Sequence, residues 1–251
     1  MLNKETVERI DKLFQSQQVR DYAAQNNIEA IYSYLTPYVH RSCLTEYFIT
    51  ERLFNPLEYF RDSIPYGCFK DSGRYTDLGT VYLDVKHLYE SCFEKSRITS
   101  LIIPEHNSIT SIGKSAFKDA HIGKASINLE CDIYNADGLF ANATIMDEGL
   151  IAVKTHDLPD MVFDGLIAKE TTIALYPQIE KVSIGAHLDG ASIGTLWLLN
   201  PYIKVVYDSA FMVRRVVYNG TKETFNYSSA NQLAAYCLDK IECTDGFITI
   251  S

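Results

Sequence analysis

Seven short segments, each centred on one bulky apolar residue, recur along this chain at nearly constant spacing. The anchors are Phe69, Phe93, Phe117, Phe140, Phe163, Leu188 and Phe211, separated by 24, 24, 23, 23, 25 and 23 residues. A period of this length marks stacked supersecondary units, none of which can bury its apolar side alone. After Phe93 come Ile98, Leu101 and Ile103, at offsets of 5, 8 and 10. The same offsets give Ala168, Thr171 and Ile173 after Phe163, and Ile193, Leu196 and Leu198 after Leu188. Alternation over the last two positions is what a short strand needs to turn one side inward. Pro104 and Pro177 follow those positions and end the strands, since proline donates nothing to a ladder. Hydrophobic residues make up 47% of the 251, enough for a continuous core and too many for a disordered chain.

Both ends depart from the period. Val7, Ile10, Leu13 and Phe14 fall at helical spacing, with Asn3 placed to cap, predicting a helix over about 3–25. Ile28, Ile31, Tyr32 and Leu35 predict a second helix, and 43–54 a third. Residues 1–60 therefore read as an N-terminal helical cap or docking module, 61–221 as the repeat array and 222–251 as a C-terminal cap. In that last piece, 228–238 has a helical pattern, and Asp245-Gly246 between Ile241/Cys243 and Phe247/Ile250 is a hairpin signal. A hairpin there would close an open sheet edge.

The segments Ile98 to Pro104 and Ile109 to Phe117 resemble, nearly position for position, the repeat unit of the bacterial BspA-like leucine-rich repeats. Val217 to Lys222 and Ile241 to Gly246 resemble the closing segment of such proteins. The resemblance covers roughly 60–251 and loosens between 138 and 190. It implies an α+β fold: a right-handed leucine-rich-repeat solenoid of about seven coils, a parallel β-sheet on one face, with an N-terminal α-helical cap and a C-terminal helix/hairpin cap. It implies recognition or adhesion and no chemistry.

The residues themselves offer little chemistry. The six histidines show no HExxH pattern, and His40 with Cys43 is an isolated H-x-x-C with no second half, whereas a structural zinc needs four ligands. No phosphate-binding glycine loop or nucleophile elbow occurs; Gly113 and Gly185 read as turn glycines of the repeat. Asp77, Asp84 and Lys86 form a weak D…DxK pattern inside a repeat strand and turn. No catalytic residue, metal ligand or cofactor follows, and a non-enzymatic protein is expected. Cys68 and Cys92 lie one repeat apart. Stacked strands are about 4.8 Å apart, a spacing that suits either a disulfide or two small thiols in equivalent core slots.

The outward strand column, one residue past the offset-8 position, reads Tyr82, Ile102, Ser126, Gly149, Thr172, Trp197 and Val217. Several are large and apolar where a side chain should face water. Exposed aromatics on a rigid sheet are common hot spots of protein recognition. Tyr82, Ile102, Thr172, Trp197 and Val217 are therefore the candidate binding residues, for a partner protein or for a second copy of the chain. A net charge of −9, with Asp and Glu scattered, argues against nucleic acid. The charged start at Lys4-Glu5, without an apolar leader, and a longest apolar run of only 195–199 argue against a membrane and for the cytoplasm. The expected role is binding another protein, such as inhibition of a host defence protein by a phage product. The alternative is a structural or adhesive component of a virion or cell surface.

Overall fold

The computed structural model describes residues 4–24, 28–39, 43, 63–64, 66–74, 77–131, 133, 135–206 and 208–249. Three short helices lead: α1 (Lys4–Phe14), α2 (Gln17–Ala24) and α3 (Ile28–Leu35). The single helix expected over 3–25 is two, because Ser16 starts a new one, its Oγ accepting the Val19 N–H at 3.4 Å. The helix expected over 43–54 lies outside the described residues apart from Cys43.

Strands dominate the rest: β1 (Ser63–Ile64), β2 (Thr80–Tyr82), β3 (His87–Leu88), β4 (Arg97–Ile103), β5 (Ser111–Ile112), β6 (His121–Leu129), β7 (Thr144–Ile145) and β8 (Gly149–Val153). Then come β9 (Ile167–Leu175), β10 (Lys181–Ser183), β11 (Ser192–Leu198), β12 (Lys204–Val206), β13 (Met212–Tyr218), β14 (Cys237–Cys243) and β15 (Gly246–Thr249). Two more short helices, α4 (Ile184–His187) and α5 (Lys222–Tyr227), are each capped by a side-chain oxygen, from Ser183 and Thr221. The stretch expected to be helical over 228–238 is a 3-10 turn at Ser229–Ala235 leading into β14.

Ten strands form one sheet in the order β15-β14-β13-β11-β9-β7-β6-β4-β2, with β8 also between β6 and β9. All its pairings are parallel except β14 with β15. β1-β3-β5 and β10-β12 form two small sheets. This overturns the expected α+β leucine-rich-repeat solenoid. The described chain is mostly strand with few short helices, in a large mixed sheet whose ring of strands is not a regular solenoid. The irregularity is physical. β9 needs two more residues than β11 between the pairs Ala168–Ile193 and Thr172–Thr195, so the register shifts there, and it shifts again between β13 and β14. Opposite β6 and β9 one coil is broken into the two strands β7 and β8.

The anchors nevertheless meet. Phe69, Phe93, Phe117, Phe140 and Phe163 stack in sequence, with ring centroids 5.1, 5.3, 5.3 and 6.0 Å apart and planes within 13°. The backbone sets this spacing, since each anchor N–H donates to the next coil, as Phe93 does to Ala116 O at 2.8 Å. Residues two before and two after each of these anchors have positive φ, for instance Ser115 and Asp119 around Phe117. At Leu188 this turn is replaced by α4, and the ring column ends. A second column, Ile103, Ile127, Ile151, Ile173, Leu196, Val216 and Ile241, is fully buried under the large sheet.

Candidate protein-binding face

With those alternate residues turned inward, their neighbours in each strand of the ten-stranded sheet point outward. The expected column does not form a single row. Tyr82, Ile102 and Thr172 share one row with Ser126, Leu150, Thr195, Arg215 and Lys240. Trp197 and Val217 stand one outward row further along, with Ala174, Glu242 and Phe247. Counting from the anchors misplaced them because the β9–β11 register shift displaces the later strands by two residues. The same count put Gly149 in the column, where the structure has Leu150.

Exposure separates the candidates. Tyr82 and Trp197 are exposed at 51% and 40%, whereas Ile102, Thr172 and Val217 are half-buried by their neighbours. Five exposed apolar residues of this sheet escaped the sequence reading: Leu150, Ile167, Met212, Leu238 and Phe247. Ile167 and Met212 open their strands in one row, beyond the reach of an offset counted from the anchor.

The face is not flat. A cleft of about 400 Å³ lies between Asp77, Arg97, Thr99, His121, Met146 and Asp147. Gly123 also lines it, and only glycine fits there, since a Cβ would come within 2.4 Å of Thr99 O. Asp77 Oδ1 is taken up locally, accepting from Gly79 N, Thr99 N and Thr99 Oγ1 at 2.7, 3.0 and 3.0 Å. A smaller cleft of about 150 Å³ is lined by Lys169, Ile193, Met212, Arg214 and Leu238. Beside it Arg214 reaches across Gly194 in β11 to both oxygens of Glu170, at 3.2 Å each. Arg215 pairs with Glu242, and Lys240 Nζ lies 4.4 Å from the Phe247 ring centroid. Charges at the β13–β15 end are thus satisfied within the chain. Arg97, Lys124 and Lys169 make no ion pair among the described residues, and neither do Asp147 and Glu148.

Groups that could suggest chemistry have structural duties. Ser183, His187 and Asp208 come together, but Ser183 Oγ donates directly to Asp208 at 3.1 Å, and His187 Nδ1 accepts the Ser183 backbone N–H at 3.1 Å. A catalytic triad needs the imidazole between hydroxyl and carboxylate; here it stands aside and the three groups cap α4. Burial pushes the His187 pKa down. Asp84 of the D…DxK pattern accepts the Ser108 N–H at 2.7 Å. Cys68 and Cys92 are unbridged and buried, and burial pushes the Cys92 thiol well up. His40 lies outside the described residues. Among those residues no three His, Cys, Asp or Glu are grouped to hold a metal, and no helix is long and apolar enough to cross a membrane.

One carboxylate is held at a cost. Desolvation, and then the charges of Asp189 and Asp160, push Asp164 up to about 6, against the N–H of Asp189 that its Oδ1 accepts at 3.1 Å. With the folded pKa above the unfolded one, the ionised form disfavours folding. The cost is absent below about pH 4, grows through the interval to 6 and is complete above it. Asp164→Asn keeps the acceptor and is expected to stabilise the fold by ~1 kcal/mol at pH 7.5, discounted for solvent screening of a partly exposed group. At pH 4 it should change nothing. Thermal melts of both proteins at the two pH values test this; equal gains at both would sink the explanation.

No protein-family model matches the chain, and no curated protein or solved structure proves significantly similar to it.

Proposed function

We propose that this chain is a non-enzymatic protein-binding module that recognises its partner through the outward side of the ten-stranded sheet. The observation that carries this reading is the exposure of Tyr82, Leu150, Ile167, Trp197, Met212 and Phe247 on one continuous hydrogen-bonded surface. Scattered exposed apolar residues need no explanation, but several on one rigid face, with clefts beside them, fit a contact surface. The sheet holds these side chains in fixed register, so little conformational entropy is lost on docking. Trp197 is the principal anchor, Tyr82 marks the other edge, and Ile102, Thr172 and Val217 fill the ground between.

The test is capture with tagged chain as bait, comparing wild type, Trp197→Asp and a control, Tyr202→Asp. Tyr202 lies outside the sheet and is 84% exposed, so its loss should alter neither folding nor binding. The expected result is a stoichiometric companion retained by wild type and Tyr202→Asp, and reduced at least about tenfold by Trp197→Asp. A companion held equally by all three would remove the sheet from the binding site.

A further inference from the structure

The charge balance of this face differs from that of the chain as a whole. Strands of the ten-stranded sheet carry Arg97, Lys124, Lys169, Arg214, Arg215 and Lys240 against Glu170, Asp239 and Glu242. Adding Asp77, Asp147 and Glu148, which lie on or beside the clefted part of the face, gives six basic and six acidic side chains. The whole chain has 23 basic and 32 acidic residues, so this six-to-six balance departs from the acidic balance of the sequence. The sheet face with its clefts is a charge-balanced patch, carrying exposed apolar residues, on an acidic chain.

That partition selects among occupants. A polyanion gains little from a face with no net positive charge and meets repulsion from the rest of the chain. For a second copy of a chain with net charge −9, contact between two charge-balanced faces avoids the net repulsion that acidic surfaces would meet. An isologous contact also demands that one patch carry both halves of each complementary pair. This patch does: Arg97, Lys124 and Lys169 are cations without an ion pair among the described residues, and Asp147 and Glu148 on the same half are carboxylates without one. Exposed Leu150 and Ile167, near these charges, supply the apolar area that would leave water.

We infer that the occupant of this face is a second copy of the chain, docked face to face about a two-fold axis. Lys124 and Lys169 of each copy then meet Asp147 and Glu148 of the other, around the apolar centre. This rests on the reading of the face as a protein-binding surface and names its partner.

Sedimentation equilibrium and native mass spectrometry on the purified full chain test it. Wild type should be dimeric in the micromolar range, and Trp197→Asp should weaken the dimer. The double variants Lys124→Glu/Lys169→Glu and Asp147→Lys/Glu148→Lys should each weaken self-association at least about tenfold, by placing like charges across the interface. All four positions are exposed, so folding is not at stake. An equimolar mixture of the two double variants should recover a heterodimer within about threefold of wild-type affinity. A chain still monomeric at about 100 µM overturns the inference. So does a dimer indifferent to both charge reversals. A monomer that retains Trp197-dependent capture of another protein overturns the second copy alone; a monomer whose capture ignores Trp197 overturns the binding face as well.

Discussion

Truncating Phe117 to Ala is expected to destabilise the chain by about 4 kcal/mol, the upper part of the range for deleting a buried phenyl ring. Phe117 is fully buried, and its ring lies 5.3 Å from those of both Phe93 and Phe140, with interplanar angles of 7° and 9°. Removing it leaves a void bounded by two rings that cannot collapse inward, because their backbones are tied coil to coil: Phe117 N donates to Leu139 O at 2.9 Å, and Phe93 N to Ala116 O at 2.8 Å. Phe117→Leu, which refills much of that volume, should cost only about 1–1.5 kcal/mol. Urea denaturation of the three proteins would measure both. A loss below about 1.5 kcal/mol for Phe117→Ala would mean that the ring column is not the structural spine.

Gly113→Ala should cost about 2–3 kcal/mol, a large effect for one methyl group. The spacing of the repeat suggests a turn glycine, but Gly113 is not among the positive-φ residues. Its requirement is spatial. A Cβ would stand 2.4 Å from Glu90 N and 2.8 Å from Tyr89 C, both backbone atoms of the preceding coil. That coil cannot yield, since Gly113 N donates to Leu88 O at 2.7 Å within the β3–β5 neighbourhood. Gly79 makes the opposite control. Its φ is +68°, and nothing lies within 4 Å of a built Cβ, so Gly79→Ala carries only left-handed strain of about 1 kcal/mol. If thermal or urea midpoints show Gly113→Ala to be no worse than Gly79→Ala, close backbone approach is not the reason for the glycine.

The two glycines illustrate where sequence reasoning reached and where it stopped. Periodicity located Phe69 through Phe163 because burial of a bulky residue once per coil needs no knowledge of neighbours. The strand positions Leu101/Ile103 and Leu196/Leu198 were legible for the same reason, as alternation is a local property. The glycine's neighbour was not legible, because Glu90 lies 23 residues earlier and its approach depends on how two coils sit.

The binding face shows the same division. Tyr82 and Trp197 stood out because an aromatic between inward residues is visible in any strand. Their placement in different rows was hidden, since it follows from two residues absorbed between Ala168 and Thr172 of β9 that β11 lacks. Ile167 and Met212 were missed because their exposure is set by adjoining strands rather than by their own segments. The neutral patch was likewise invisible in a total of −9, for charge totals carry no positions.

The sequence by itself determined the period, the anchors and the inward strand residues, all of which follow from side-chain size and spacing within one coil. Only the tertiary structure decided that the coils make a large, mixed, irregular sheet rather than a regular leucine-rich-repeat solenoid. It also decided which outward residues share a row and where the balanced charges gather. Register between coils is fixed by hydrogen bonds and packing over separations of 20 or more residues, where a shift of two moves every partner without altering the local pattern.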